Sequence, residues 1–254
     1  MTVAVLLACF VGCSGGSESL RERFVRRTPQ EWLDIALDDP RPDQRRKAIN
    51  EIAEGDAAAA GWAQRAFDVI ARTDPDSMVR VAAVRGLARG AAPSTPSTLV
   101  KLLQSDDRTF EDVRPAPGPV RWEAALLLDR LLDDGRVAES DRERVLAALL
   151  QHAGRETDRN VRLAAVRGLR HFQDGRAIPV LLAALDERDF ALRDGAEQSL
   201  HDLTGHCCEH DSRAWRAWLD AADDPFADAG TWTESKEHLP WWKRWLAWAN
   251  GPES

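Results

Sequence analysis

The apolar positions of this chain recur as a unit. Val79-Arg80-Val81-Ala82-Ala83-Val84-Arg85-Gly86-Leu87 returns as Val161-Arg162-Leu163-Ala164-Ala165-Val166-Arg167-Gly168-Leu169 with a single Val/Leu exchange, and a diverged copy, Val120 to Leu128, lies 41 residues from each. Aligning on the second-position Arg finds two more copies, Gln44 to Ile52 and Leu192 to Leu200, so the motifs start at 44, 79, 120, 161 and 192. Positions one, five and nine lie about one helical turn apart and form one stripe to be buried. Ala fills the fifth position throughout (Ala48, Ala83, Ala124, Ala165, Ala196), and Ile or Leu fills the ninth. A small residue at five lets neighbouring helices approach closely. Each motif is followed by a second apolar stretch, at 66–70, 98–103, 145–150, 178–185 and 215–219. Paired helices at a fixed period predict an all-α, α-solenoid fold of about five helical hairpins, each packed only on its neighbours.

The remaining motif positions refine this picture. Arg occupies the second position in every copy (Arg45, Arg80, Arg121, Arg162, Arg193) and projects beside the stripe, where it can reach an acid. Asp43, Asp76, Asp158 and Asp189 precede four of the motifs, where an Asp can cap the helix and favour its positive end. Thr28-Pro29-Gln30-Glu31 is a further helix start, with Thr as N-cap, Pro at N1 and Glu at N3. It opens a helix over 28–38 that predicts an N-terminal cap of the solenoid. The Pro-rich, charged insertion Asp106 to Pro119 predicts a loop between helices.

The pattern Asp-x-x-Val-Arg-x-x-Ala-x-x-x-Leu, clearest at Asp76–Leu87 and Asp158–Leu169, resembles HEAT repeats of the short, phycobilin-lyase-type (PBS-lyase-like) subclass. The resemblance covers about residues 41–222. It implies an armadillo-type superhelix and a protein or peptide partner, and it implies no chemistry. Since the repeated residues are packing and capping residues, function must lie on the positions that differ between copies, in the insertion, or at the chain ends.

The ends are unusual. Met1 to Val11 is almost wholly apolar and is followed by Gly12-Cys13 and Ser14-Gly15-Gly16-Ser17, a short apolar run ending in small residues as in an export signal. The segment resembles a bacterial lipoprotein signal, with Cys13 as the lipidated residue and Cys9 as the alternative register. It carries no Lys or Arg before the apolar run, a departure from that pattern. The chain therefore divides into a signal segment (1–13), a flexible tether (14–27), the solenoid (28–222), and a linker with a Trp-rich tail (223–254). The expected location is the cell envelope, at a membrane surface facing the periplasm or exterior, with the cytoplasm as the alternative. In the tail, Trp241, Trp245 and Trp248 share one helical face, suited to capping the last repeat, docking on a partner, or resting in a headgroup layer.

Charge and candidate chemistry change little. The net charge of −8 gives no bulk attraction for nucleic acid and favours a partner with basic segments. Nothing in the sequence sets the oligomeric state. The stretch His201 to Asp211, with His201, His206, Cys207, Cys208, Glu209, His210 and Asp211, is the densest group of ligand-type side chains and a candidate for metal or redox chemistry through His206, Cys207, Cys208 and His210, but neighbouring cysteines are awkward on one tetrahedral metal and the spacing matches no familiar zinc module. No nucleophile elbow, phosphate loop or dinucleotide fingerprint is present, and no His-Glu dipeptide of the kind some HEAT-repeat enzymes use for iron. The expectation is a non-catalytic scaffold or adaptor with no cofactor, with a metal or redox protein and a lyase-like enzyme as the alternatives.

Overall fold

The computed structural model describes residues 27–90, 92–105 and 114–231. Cys13 and Cys9, and the tail residues Trp241, Trp245 and Trp248, lie outside the described residues. The described part folds into eleven α-helices, and no strand occurs in it. In order these are α1 (Pro29–Asp38), α2 (Pro42–Glu54), α3 (Gly61–Thr73), α4 (Ser77–Gly90), α5 (Thr95–Leu103), α6 (Gly118–Asp133), α7 (Glu139–Arg155), α8 (Arg159–Gly168), α9 (Ala177–Leu185), α10 (Phe190–Thr204) and α11 (Ser212–Ala221). None is long and apolar enough to cross a membrane.

The five motifs form α2, α4, α6, α8 and α10, and each packs far more closely on the helix before it than on the helix after it, giving the hairpins α1–α2, α3–α4, α5–α6, α7–α8 and α9–α10. This shifts the expected phase by one helix, because the sequence suggested pairing each motif with the apolar stretch after it. A periodic string does not mark where its unit begins; the capped turn before the motif does. Asp158 and Asp189 accept hydrogen bonds from the first free N–H groups of α8 and α10, and Asp76 does the same for α4. Each such turn is only a few residues long, which forces the two flanking helices to lie antiparallel and in contact. Asp43 differs: Pro42 starts α2, Arg41 holds the cap position, and Asp43 instead pairs with Arg46 at the surface. The helix expected as a separate N-terminal cap is thus the outer helix of the first hairpin, closed at its own start by a reciprocal Thr28–Glu31 capping box.

The motif helices also pack side by side, α2 on α4 on α6 on α8 on α10, while the outer helices touch one another more loosely. A stack whose one layer is more tightly spaced bends toward that layer, so the motif helices line the inner side. The five fifth-position alanines are fully buried and set that spacing. Gly86 does the same inside a hairpin, where an added Cβ would lie 2.9 Å from the Phe67 ring of α3.

The end of the stack departs from the repeat. Gly205 ends α10 in the left-handed conformation that favours glycine (φ 69°), and its N–H closes on the His201 carbonyl. The chain then runs back along α10, and Asp211 caps α11. Beyond α11 the start of the expected linker folds onto the last hairpin, with Gly230 N–H donating to the Asp202 carbonyl at 2.8 Å. A cap made of residues 205–231 therefore covers α10.

Candidate functional site on the inner face

Four of the five motif arginines tie consecutive hairpins together. Arg45 makes a bidentate pair with Asp74 of the next hairpin (both bonds 2.9 Å) and donates to the Asp39 carbonyl of its own turn (2.9 Å). Arg80 donates to the Ala71 carbonyl (2.7 Å) and to the Pro115 and Arg114 carbonyls (2.9 and 3.1 Å). Arg121 grips the Glu156 carboxylate and donates to the Ala116 carbonyl. Arg162 donates to the Ala153 carbonyl and pairs with Glu187. Each guanidinium thus joins its own turn to the next one, using the planar fork that Lys lacks. The hydrogen bond to Asp74 holds Arg45 above the usual range, whereas burial among carbonyls, with Arg114 nearby, lowers Arg80 to about 10. Arg193 ends the series, and its buried Nε has no hydrogen-bond partner. The second half of the unit-three insertion is part of this ladder: besides supplying acceptors to Arg80, Arg114 N–H donates to the Arg72 carbonyl at 2.9 Å. These hydrogen bonds and ion pairs make the motif arginines part of the scaffold.

The face left open by the ladder carries the positions that vary between copies. Positions three and seven supply Trp122 and Leu126 on α6 and Leu163 and Arg167 on α8, and they adjoin Arg85 and Arg89 of α4. Two neighbouring grooves share Trp122 and Leu126. The first has four arginines in its lining, Arg85, Arg89, Arg130 and Arg136, against two carboxylates, Glu123 and Asp134. Arg85 is satisfied by Glu123 at 2.8 Å, while Arg89, Arg130, Arg136 and Arg167 make no ion pair among the described residues. Trp122 is 38% exposed, unusual for so large an apolar ring. A cationic strip with an aromatic centre therefore sits on a chain whose total charge is −8. The nine-residue alignment held the signal for this strip, because a position that is Arg, Val, Trp, Leu and Asp in successive copies is not a packing position.

The cap disperses the four residues of the candidate metal or redox group. His206 stacks flat on Trp218, with ring centroids 4.4 Å apart and an interplanar angle of 6°. His210 stacks on Phe190 and lies 3.9 Å from Asp194. Cys208 donates its backbone N–H to Glu197, and burial pushes its thiol up to about 11. Cys207 instead joins Glu197 and His201 of α10, one potential ligand atom from each lying within 4.8 Å of the others. Glu197 was not among the sequence candidates; its spacing of four from His201, one turn on a helix, was the available sign.

No curated protein matches the chain. A family model for HEAT repeats matches residues 113–201, from the unit-three insertion to α10. Residues 113–201 of this chain are thus similar to HEAT repeats, and the hairpins on either side continue the same α-solenoid.

Proposed function

We propose that this protein is a non-catalytic binding scaffold whose inner face receives an apolar–acidic segment of a protein partner. The observation that carries the reading is the exposed Trp122 beside Leu126 and Leu163, with Arg89, Arg130, Arg136 and Arg167 nearby and without an ion-pair partner among the described residues. Tryptophan and arginine in a concave setting are the residue types that most often dominate binding energy, and HEAT repeats commonly serve as protein-binding modules. A photo-reactive residue placed at Trp122 should cross-link a defined partner in cells, and one placed at Val69 on the outer helix α3 should not. Trp122→Ala and Arg130→Glu should each weaken the interaction by about tenfold or more, the effect of losing a modest hot spot, while leaving thermal unfolding unchanged. Equal cross-linking from both faces, or binding indifferent to both substitutions, would overturn the reading.

The same proposal places the scaffold at a membrane surface through a lipidated Cys13, and assigns the repeats to the short phycobilin-lyase-type subclass. The support for both is in the sequence, in the apolar run before Gly12-Cys13 and in the Asp-x-x-Val-Arg pattern. More than one acyl chain on the mature N-terminus would give stable anchoring. Intact-mass measurement of the mature protein should find Cys13 as an acylated first residue, and a chain that keeps an unmodified Met1 would remove the anchor.

A further inference from the structure

We infer that the C-terminal cap holds a divalent metal ion of the zinc class between Glu197, His201 and Cys207. Glu197 and His201 lie one turn apart on α10, and Cys207 lies on the loop that runs back along it. Their ligand atoms all lie within 4.8 Å of one another; to reach the spacing that bonds of about 2.0–2.3 Å impose in a tetrahedral site, the Cys207 thiol must close by no more than about 1 Å and the hydrogen-bonded Glu197–His201 pair must open slightly from 2.8 Å.

The donor set is chemically apt. One thiolate, one imidazole and one carboxylate are the ligand types zinc takes, and the two anions neutralise a divalent ion. Cys208 is too close in the chain to share the same tetrahedron comfortably, and a water can complete the fourth position.

Charge matching gives an independent argument. Asp74, Glu123 and Glu156 are buried or nearly so, and each pairs with an arginine: Arg45, Arg85 and Arg121 respectively. Glu197 is as deeply buried, at 3% exposure, yet its partners are His201, the Trp215 indole and the Cys208 backbone N–H. Among the described residues no Lys or Arg pairs with it, and its one basic side-chain partner is His201, which carries charge only when protonated. A buried carboxylate without a fixed cation is costly, and a bound cation supplies the missing charge.

A hydrogen bond from outside the donor set orients the carboxylate. Trp215 Nε1 donates to Glu197 Oε2 at 2.9 Å, which fixes the carboxylate and leaves Oε1 on the side of His201, 2.8 Å from its Nε2. Metal binding there fastens the 205–211 loop to the last hairpin.

The test uses the full chain, stripped of metal with a chelator, kept reduced, and titrated with Co(II) as a spectroscopic probe. One equivalent should produce the visible bands of a tetrahedral site together with a thiolate-to-cobalt charge-transfer band, and Zn(II) should displace it. Cys207→Ser should abolish the charge-transfer band, and Glu197→Gln should weaken binding by about tenfold or more. Cys208→Ser should keep the band. Circular dichroism on each variant separates loss of metal from loss of fold. Folded wild-type protein that gives no charge-transfer band, or a band that survives Cys207→Ser, overturns the assignment.

Discussion

Replacing Trp215 with alanine is expected to cost about 3–5 kcal/mol, the usual price of deleting a fully buried aromatic, and to release the C-terminal end of the stack before the rest. The ring has no exposed surface and is the largest fully buried side chain among the described residues. It meets Trp218 and His206 edge-on, at centroid distances of 5.9 and 5.5 Å, contacts that add to its burial. Its N–H is also a hydrogen-bond donor to the buried Glu197. In a stack where each hairpin touches only its neighbours, the loss stays near its origin. Hydrogen exchange should therefore show protection falling in α9, α10 and α11 while α3, α4 and α6 keep theirs. Trp215→Phe keeps most of the packing but orphans one oxygen of Glu197, and should cost about 1–3 kcal/mol. Unchanged exchange in α10 of Trp215→Ala would show that residues 205–231 do not cap the stack.

The solenoid itself was legible because it rests on local, repeated requirements. A fifth-position alanine and a ninth-position Ile or Leu have one physical reading in a helical stripe, and five copies make it unambiguous. The phase of the hairpins was less legible, since the apolar pattern on both sides of each motif is similar and only the length of the capped turn separates them. Arg45 could be expected to meet an acid, but its partner Asp74 lies 29 residues on, and only the stacking of hairpins brings it there. The inner strip was half legible: variation marked its positions, but Trp122 on α6 and Arg167 on α8 become neighbours through helix packing alone. At the cap, the ligand-type residues between His201 and Asp211 group by closeness in sequence, His206, Cys207, Cys208 and His210 foremost. Successive residues of a loop point in different directions, and the turn at Glu209 and His210, both at positive φ, directs His210 away from the others. Glu197, ten residues before Cys207, became the neighbour instead.

Removing the side chain of Arg121 should destabilise the protein by about 3 kcal/mol, the lower end of the range for breaking a buried ion pair, and the loss should shrink in acid. Arg121 and Glu156 have side chains only 13% and 3% exposed. Glu156 is the hub between the third and fourth motif helices. Besides Arg121 it accepts from the backbone N–H groups of Thr157 and Asp158, both at 2.9 Å, and from His152 at 3.0 Å. Burial alone would raise its carboxyl, but the Arg121, Asp158 and His152 hydrogen bonds outweigh it and hold the group at about 2. The depressed value fixes the sign. The carboxylate contributes its full stability above its ordinary value of 4.5, and that contribution disappears as pH falls from there toward about 2. Without Arg121 the carboxyl takes up its proton at higher pH, and once it is neutral in both proteins the pair no longer distinguishes them. Urea unfolding of wild type and Arg121→Met should thus give a large difference at neutral pH that narrows through this window. Glu156→Gln should remove most of the narrowing, because an amide cannot titrate. A difference between wild type and Arg121→Met that holds constant down to about pH 2 would assign the loss to the Ala116 carbonyl contact and the packing of the Arg stem, and not to the ion pair joining the hairpins.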